Sequence, residues 1–350
     1  MTTSWPTVLS ALIGGESLSS ADAAWAMNEI MSGSATPVQI AGFAIALRSK
    51  GESTEEMLGL SGAMLDRAAR LTVDGPIVDT CGTGGDRAST VNISTLAALV
   101  VRGAGGTVVK HGNRAASSVC GSADLLEELG VVIGLDPDGV ARCVELCGIG
   151  FCFAPVFHPA LRHAAGARGE LGVATVFNFL GPLANPARPQ AQAVGVADER
   201  MAAVMAGVLA ARGSSALVFR GTDGLDELSV AAPSRVWVVA GGEVRDDRVD
   251  PADLGLPPVP PDALRGGDAA HNAAISRRLL DGELGAVRDA VVLNAAAALV
   301  ALDGPTEAPV ADQLGDACVR AAEALDSGAA AQALAAWVEA SRSVGVADTE

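Results

Sequence analysis

Near residue 75 the periodicity of the chain changes, and few architectures accommodate both parts. Up to about residue 72 apolar residues recur only at helical spacing, as in Ile40, Phe43, Ala44 and Leu47. The helix starts are explicit. Thr36-Pro37-Val38-Gln39 combines a capping box with proline at the first helical position, Ser53 with Glu56 makes a second box, and Ser19 with Asp22 a weaker third. From Pro76 onwards short apolar runs alternate with helical patterns. Ile77-Val78-Asp79-Thr80 leads to a helix over 92–102, and Thr107-Val108-Val109 to a helix over 122–129 closed by Gly130. Further strand-like runs fall at 150–154, 191–196 and 216–219, and 235–239 with 243–249 form a hairpin through Gly241-Gly242. A proline-rich linker at 256–261 precedes the last helices. The predicted class is α/β: a mostly parallel sheet flanked by helices, with a smaller all-helical N-terminal domain.

Composition narrows the function. A chain of 350 residues, 49% hydrophobic and 19% charged, has room for about two domains and is not intrinsically disordered. Its net charge of −17 repels phosphate backbones, so no nucleic-acid partner is expected. The six cysteines include no CxxC pair. Cys143 and Cys147 stand one helical turn apart, but no second pair or histidine lies at ligand spacing, so they read as buried thiols. This cysteine usage fits a reducing cytoplasm. The start, MTTSWPTVLSALIGG, lacks the basic and long apolar stretches of a signal peptide. The longest apolar run, 290–302, is broken by Asn294 and too short to span a bilayer, so no membrane partner is expected.

Against this acidic background four segments carry chemistry. The first is Asp79-Thr80-Cys81-Gly82-Thr83-Gly84-Gly85-Asp86, followed by Thr90-Val91-Asn92-Ile93-Ser94-Thr95. Glycines after a strand admit an anion to backbone N–H groups, and the next helix start adds a positive dipole. The spacing is neither the Rossmann nor the Walker pattern, and an ordinary tight turn with a helix cap fits equally well. The second runs from Lys110-His111-Gly112-Asn113-Arg114 through Ser117-Ser118 to Gly121-Ser122-Ala123-Asp124. Lys110 is one of only two lysines, and three potentially cationic groups within five residues predict a local positive site at a strand end. The alternative is a solvated charged loop.

The third segment spans 157–186 and places Arg162, His163 and Arg168 on helical turns before the rigid bend Gly181-Pro182-Leu183. One arginine can hold a carboxylate through a bidentate contact, whereas Arg162 and His163 read as surface decoration and His158 as a capping or packing residue. The fourth is Asp223-Gly224-Leu225-Asp226-Glu227-Leu228-Ser229, whose adjacent carboxylates suit Mg²⁺ that also holds substrate phosphates. Taken alone, it reads better as a solvated acidic loop.

Together the motifs GTGGD, NIST, KHGNR with GSAD, FHPALRH with GPLANP, and DGLDELS closely resemble the anthranilate phosphoribosyltransferase family of the nucleoside phosphorylase–phosphoribosyltransferase superfamily, in order and spacing and over nearly the whole chain. GTGGD alone is shared with pyrimidine nucleoside phosphorylases; the combination is specific. The resemblance implies a small helical domain, 1–72 with a contribution from about 155–180, beside a large α/β domain, 73–350. It implies a homodimer joined through the helical domains. The implied reaction transfers 5-phosphoribose from phosphoribosyl pyrophosphate (PRPP) to the amine of anthranilate, releasing pyrophosphate, in tryptophan biosynthesis. By motif, Gly82, Gly85, Asp86, Thr90, Asn92, Ser94, Thr95, Lys110, Ser118 and Ser122 would hold PRPP. Ser94, Asp226 and Glu227 would serve Mg²⁺, and Gly82, Asn113 and Arg168 would contact anthranilate. Ala174 stands where many members carry arginine, Ser229-Val230-Ala231-Ala232 replaces a frequent threonine run, and Cys120 replaces a smaller or hydroxyl residue.

The residue types agree with that chemistry. Breaking the anomeric C–O bond leaves positive charge on the ribose and negative charge on departing pyrophosphate, so electrostatic stabilisation and positioning suffice. An aromatic amine is neutral at pH 7, and no side chain is expected to attack covalently or act as a strong base. Two alternatives are a pyrimidine nucleoside phosphorylase of the same architecture and a non-catalytic nucleic-acid-binding relative. The acidic pair argues against the first, the net charge against the second.

Overall fold

A computed structural model describes residues 3–115, 119–260 and 262–347. Four helices open the chain: α1 (Trp5–Ile13), α2 (Ser20–Met31), α3 (Pro37–Lys50) and α4 (Thr54–Asp66). Both full capping boxes form, at Thr36/Gln39 and Ser53/Glu56. The third forms by half. Ser19 Oγ accepts from the Asp22 N–H at 3.1 Å, but the aspartate is too short to reach back to the Ser19 backbone and takes the Ser19 hydroxyl instead, at 2.7 Å.

Seven strands follow: β1 (Val78–Gly82), β2 (Val108–Gly112), β3 (Ile149–Phe153), β4 (Ala191–Gly195), β5 (Ser215–Gly221), β6 (Ser234–Ala240) and β7 (Glu243–Val249). They lie in one sheet, ordered β3-β2-β1-β4-β5-β6-β7. Strands β1 to β5 pair in parallel, and the predicted hairpin β6–β7 adds two antiparallel strands at the edge. The chain winds outward from β1 to β3 and then returns to the other side of β1 as β4. The switch point of the sheet therefore lies between β1 and β4, where ligands bind in open α/β sheets.

Side chains alternate between the two faces of the sheet with period two. Leu217 and Phe219 enter one core, with the helices Ile93–Gly103 and Ala286–Asp303; Ala216 and Val218 enter the other, with α1–α4 and the helix Glu199–Ala211. The apolar run 290–302 lies inside the helix Ala286–Asp303, where Ala295 to Ala298 are fully buried. The N-terminal helices thus share their core with the sheet. Ion pairs from Arg48 to Asp198 (2.5 Å) and from Arg200 to the buried Glu52 bind the two parts further. The long connection from β3 to β4 carries the helix Arg162–Leu171, which packs on α2 and α3. It brings residues of the third segment over the strand ends.

Candidate active site

At the switch point the chain is packed too tightly for side chains. A Cβ on Gly82 would lie 2.4 Å from Asp226 Oδ2, and one on Gly195 would lie 1.7 Å from the Asp226 carbonyl oxygen. Glycine at these two strand ends lets the acidic loop 223–229 close against β1 and β4. Beyond Gly82, Thr83 N–H donates to Gly195 O (3.0 Å) and Gly84 N–H to Asp226 Oδ2 (2.6 Å). The loop is pinned from behind by Asn294, which accepts from Leu228 N–H at 2.9 Å and donates to Leu228 O at 3.0 Å. The residue that interrupts the apolar run thus fixes the acidic loop. Its signal in the sequence was that interruption.

The electrostatics of this corner call for a cation. Asp226 and Glu227 are both buried. Burial, then the neighbouring Glu227 and Asp86 carboxylates, push the Asp226 carboxyl well above the usual carboxylate range. Glu227 is raised as well, by burial and Asp86, although Lys110 opposes the shift. Asp86 Oδ2 is buried with no hydrogen-bond partner among the described residues. Three carboxyl groups with so little compensating charge fit Mg²⁺. Among the described residues no three His, Cys, Asp or Glu side chains already converge on one metal position, so such an ion would keep waters and substrate oxygens in its shell, as Mg²⁺ does.

Lys110 lies within β2 rather than beyond its end, and it is 2% exposed. Its Nζ donates to Thr80 O and, at 3.3 Å, to Ser94 Oγ, so the ammonium lies beneath the glycine loop. The expected trio of cations is corrected to one. Arg114 is neutralised by Asp124 (3.0 Å) and Glu127 (2.6 Å). His111 is buried, and desolvation, with the adjacent His158 ring 5.2 Å away, drives its pKa down to about 3. Its Nδ1 lies 3.0 Å from Gly181 O; a carbonyl only accepts, so Nδ1 carries the proton of the neutral ring. His158 packs as expected, with Nε2 2.7 Å from Ala184 O.

Ser94 and Thr95 sit on the first turn of the helix Ile93–Gly103, Thr95 with a buried hydroxyl that has no partner among the described residues. Asn92 is engaged on both sides: it donates to Cys120 O at 3.0 Å and accepts from Asn272 at 2.9 Å. Thr90 bridges to Arg265, and Gly266 N–H donates to Ser89 O at 2.8 Å. Residues 264–272 thus brace the glycine-rich segment 82–92 from a distant part of the chain, which no local pattern revealed. Ser122 Oγ donates to Asn113 O at 3.3 Å. Ser118 lies outside the described residues.

Across the cleft stands Arg168, in the last turn of its helix, with Cζ 5.3 Å from the Phe177 ring. Burial lowers its pKa, and it has no carboxylate partner among the described residues. Arg162 and His163 are exposed. Met64 of α4, Leu161 and Pro182 complete an apolar wall that sequence alone did not single out. All the predicted site residues except Ser118 line this one cleft of about 370 Å³.

Two family models match the chain: the helical bundle domain of a glycosyl transferase family over residues 6–68, and the a/b domain of that family over 74–331. An anthranilate phosphoribosyltransferase from Streptomyces griseus subsp. griseus is 61% identical over 97% of this chain and 95% of its own length. The chain belongs to the anthranilate phosphoribosyltransferase family. The crystal structure of the family member from Thermus thermophilus is 43% identical, with a TM-score of 0.88 over 96% of this chain and 99% of that one. The Saccharomyces cerevisiae member, solved with PRPP and Mg, is 26% identical, with a TM-score of 0.87 over 97% and 98% of the two chains. The same yeast enzyme has been solved with 4-fluoroanthranilate, with a TM-score of 0.84 at 26% identity over 97% and 99%. The order of helical bundle and α/β sheet described above is that of the family.

Proposed function

We infer that this chain transfers the 5-phosphoribosyl group of PRPP to the amine of anthranilate, giving N-(5-phosphoribosyl)anthranilate and pyrophosphate in tryptophan biosynthesis. The observation that carries the reading is the division of charge across one cleft: crowded carboxyls and a buried lysine at the strand ends, an uncompensated arginine opposite. The ligands named for the yeast relative support it.

In this reading Gly82, Gly85, Asp86, Thr90, Asn92, Ser94, Thr95, Lys110, Ser118 and Ser122 hold PRPP. Asn92 does so while bridging Cys120 and Asn272. Asp226 and Glu227, with Ser94, hold Mg²⁺, which supplies positive charge to the departing pyrophosphate. Lys110 is desolvated and fixed before substrate arrives, so its charge meets the developing negative charge without reorganisation. Arg168, stacked on Phe177, takes the anthranilate carboxylate, with Asn113 and Gly82 beside it. The apolar wall of Met64, Leu161 and Pro182 takes the aromatic ring. No residue acts as a covalent nucleophile.

The chain divides functionally into residues 1–72, with part of 155–180, and residues 73–350. It pairs as a homodimer through its helical domains; the support is exposed apolar surface at Ile13 and Val38, 80% and 81% exposed, on the adjoining helices α1 and α3. A cytoplasmic location fits six cysteines, none of which is in a disulfide. Incubation with PRPP, Mg²⁺ and anthranilate tests the reaction, followed by the loss of anthranilate fluorescence. Turnover that requires PRPP and stops with EDTA is the expected result. Activity that survives EDTA and consumes inorganic phosphate and a nucleoside would establish a phosphorylase instead.

A further inference from the structure

A second cavity, of about 380 Å³, lies behind the first. It is walled by α4, by the segment 182–192 that leads into β4, and by residues 212–214 after the helix Glu199–Ala211. Pro182 borders both cavities. Part of the hollow exists because α4 carries Gly62 here: a Cβ at that position would meet nothing within 4 Å.

Charge in this cavity is unbalanced. Arg212 donates to Leu183 O (2.7 Å) and to Ser61 Oγ (2.5 Å), both neutral acceptors, and has no carboxylate partner among the described residues. Burial, reinforced by Arg188, pulls its pKa down to about 10. Arg188 holds a left-handed backbone conformation, φ 50°, and among the described residues its one ion pair is with Asp66, at 3.3 Å, where both side chains are well exposed. Of the two guanidinium groups only Arg188 meets a carboxylate, a solvated one, within a chain whose net charge is −17. A desolvated guanidinium without a counter-charge is unfavourable, and a carboxylate complements its planar fork with two parallel hydrogen bonds. Free phosphate matches the cations equally, but the Asn185 and Gln192 amides in the lining already donate within the protein, and Leu58, Leu65 and Pro189 offer surface to an apolar body instead.

We propose that this cavity binds a small carboxylate with an aromatic or apolar body, the carboxylate between Arg212 and Arg188 and the body against Leu58, Leu65 and Pro182. The site is distinct from the phosphoribosyl-transfer cleft but mechanically joined to it. Arg212 ties Ser61 of α4 to Leu183, and Leu183 follows Pro182, which walls the cleft. An anion that draws Arg212 away from these acceptors shifts the Gly181-Pro182 bend, so occupancy is felt on the acceptor side of the cleft.

The test is a ¹⁹F NMR titration of 4-fluorobenzoate into the full chain without PRPP, which reads binding independently of turnover. Two classes of site are expected. One weakens in Arg168→Ala and is the cleft; the other weakens about tenfold in both Gly62→Met, which fills the cavity, and Arg188→Gln, which removes an exposed charge. Both variants alter positions with room or solvent around them, and near-UV circular dichroism checks their fold. A single class of site, or two classes indifferent to Gly62→Met and Arg188→Gln, overturns the proposal. Displacement from the second class by inorganic phosphate as readily as by benzoate overturns its ligand chemistry. In steady-state assays benzoate raises the KM for anthranilate by competing in the cleft of both proteins, and a further change in the unsubstituted chain that Gly62→Met lacks is expected from the second cavity; an identical effect in the two proteins refutes the coupling.

Discussion

On one side of the cleft Asp86, Asp226 and Glu227 crowd against buried backbone with Lys110 beneath them; on the other, Arg168 stands alone on a helix, its guanidinium against Phe177. The first side is assembled from strand ends, where glycines admit the loop and Asn294 fixes it. Its carboxyls are held together despite mutual repulsion, at a cost in stability that a bound cation would offset. The second side comes from the long β3–β4 connection and owes its position to packing on α2 and α3. It carries Arg168, which has no carboxylate partner among the described residues, and an apolar wall. In the proposed reading donor chemistry rests on preorganised charge, and acceptor choice on how one helix sits.

The largest expected effect of breaking this contrast is at Lys110. Lys110→Met should lower kcat/KM by about 10³-fold, because it removes the desolvated positive charge from the donor side. A loss below tenfold in the fluorescence assay would mean that the buried ammonium is structural only. Glu227→Gln separates function from stability. Turnover should fall about 100-fold and lose its Mg²⁺ dependence, while thermal unfolding without ligand shifts upward by about 1 kcal/mol as repulsion is relieved. A variant both inactive and destabilised contradicts the picture of stored repulsion. Arg168→Ala should raise the KM for anthranilate by about 30-fold and leave that for PRPP within about twofold. Equal changes for both substrates would dissolve the division into sides.

The smallest effect concerns His111, which belongs to the wall between them. Its pKa is about 3 when folded, against 6.5 for the free side chain, so the unfolded chain binds the extra proton first as pH falls. The His111 contribution to stability is full above pH 6.5 and declines towards pH 3, whereas the raised Asp226 and Glu227 carboxyls contribute in the opposite sense. Between pH 7 and pH 5.5 this contribution should fall by about 1 kcal/mol, so the change in stability over that interval should differ between His111→Gln and the unsubstituted chain by that amount. Urea titrations at the two pH values measure it; an identical slope in the variant would show that His111 is not the group responsible.

Much of this protein was legible from its residues. Capping boxes announced the opening helices, and alternating strands and helices announced the sheet, because both signals act over a few neighbouring positions. The motif segments named the residues of the cleft. What stayed hidden was who meets whom. His111 and Arg114 counted as charges in the sequence, but one is neutralised by burial and the other by Asp124 and Glu127. Asn294, Asn272 and Met64 carry no motif and reach the site from remote parts of the chain.

Local order and chemical inventory were therefore set by the sequence alone: where helices begin, which strands alternate with them, and which side chains can bind phosphate, magnesium or carboxylate. The tertiary structure decided the electrical state of those side chains. Charge depends on water and on neighbours at a few ångströms. The return of β4 beside β1, and the connection folded over the strand ends, exclude that water and choose those neighbours.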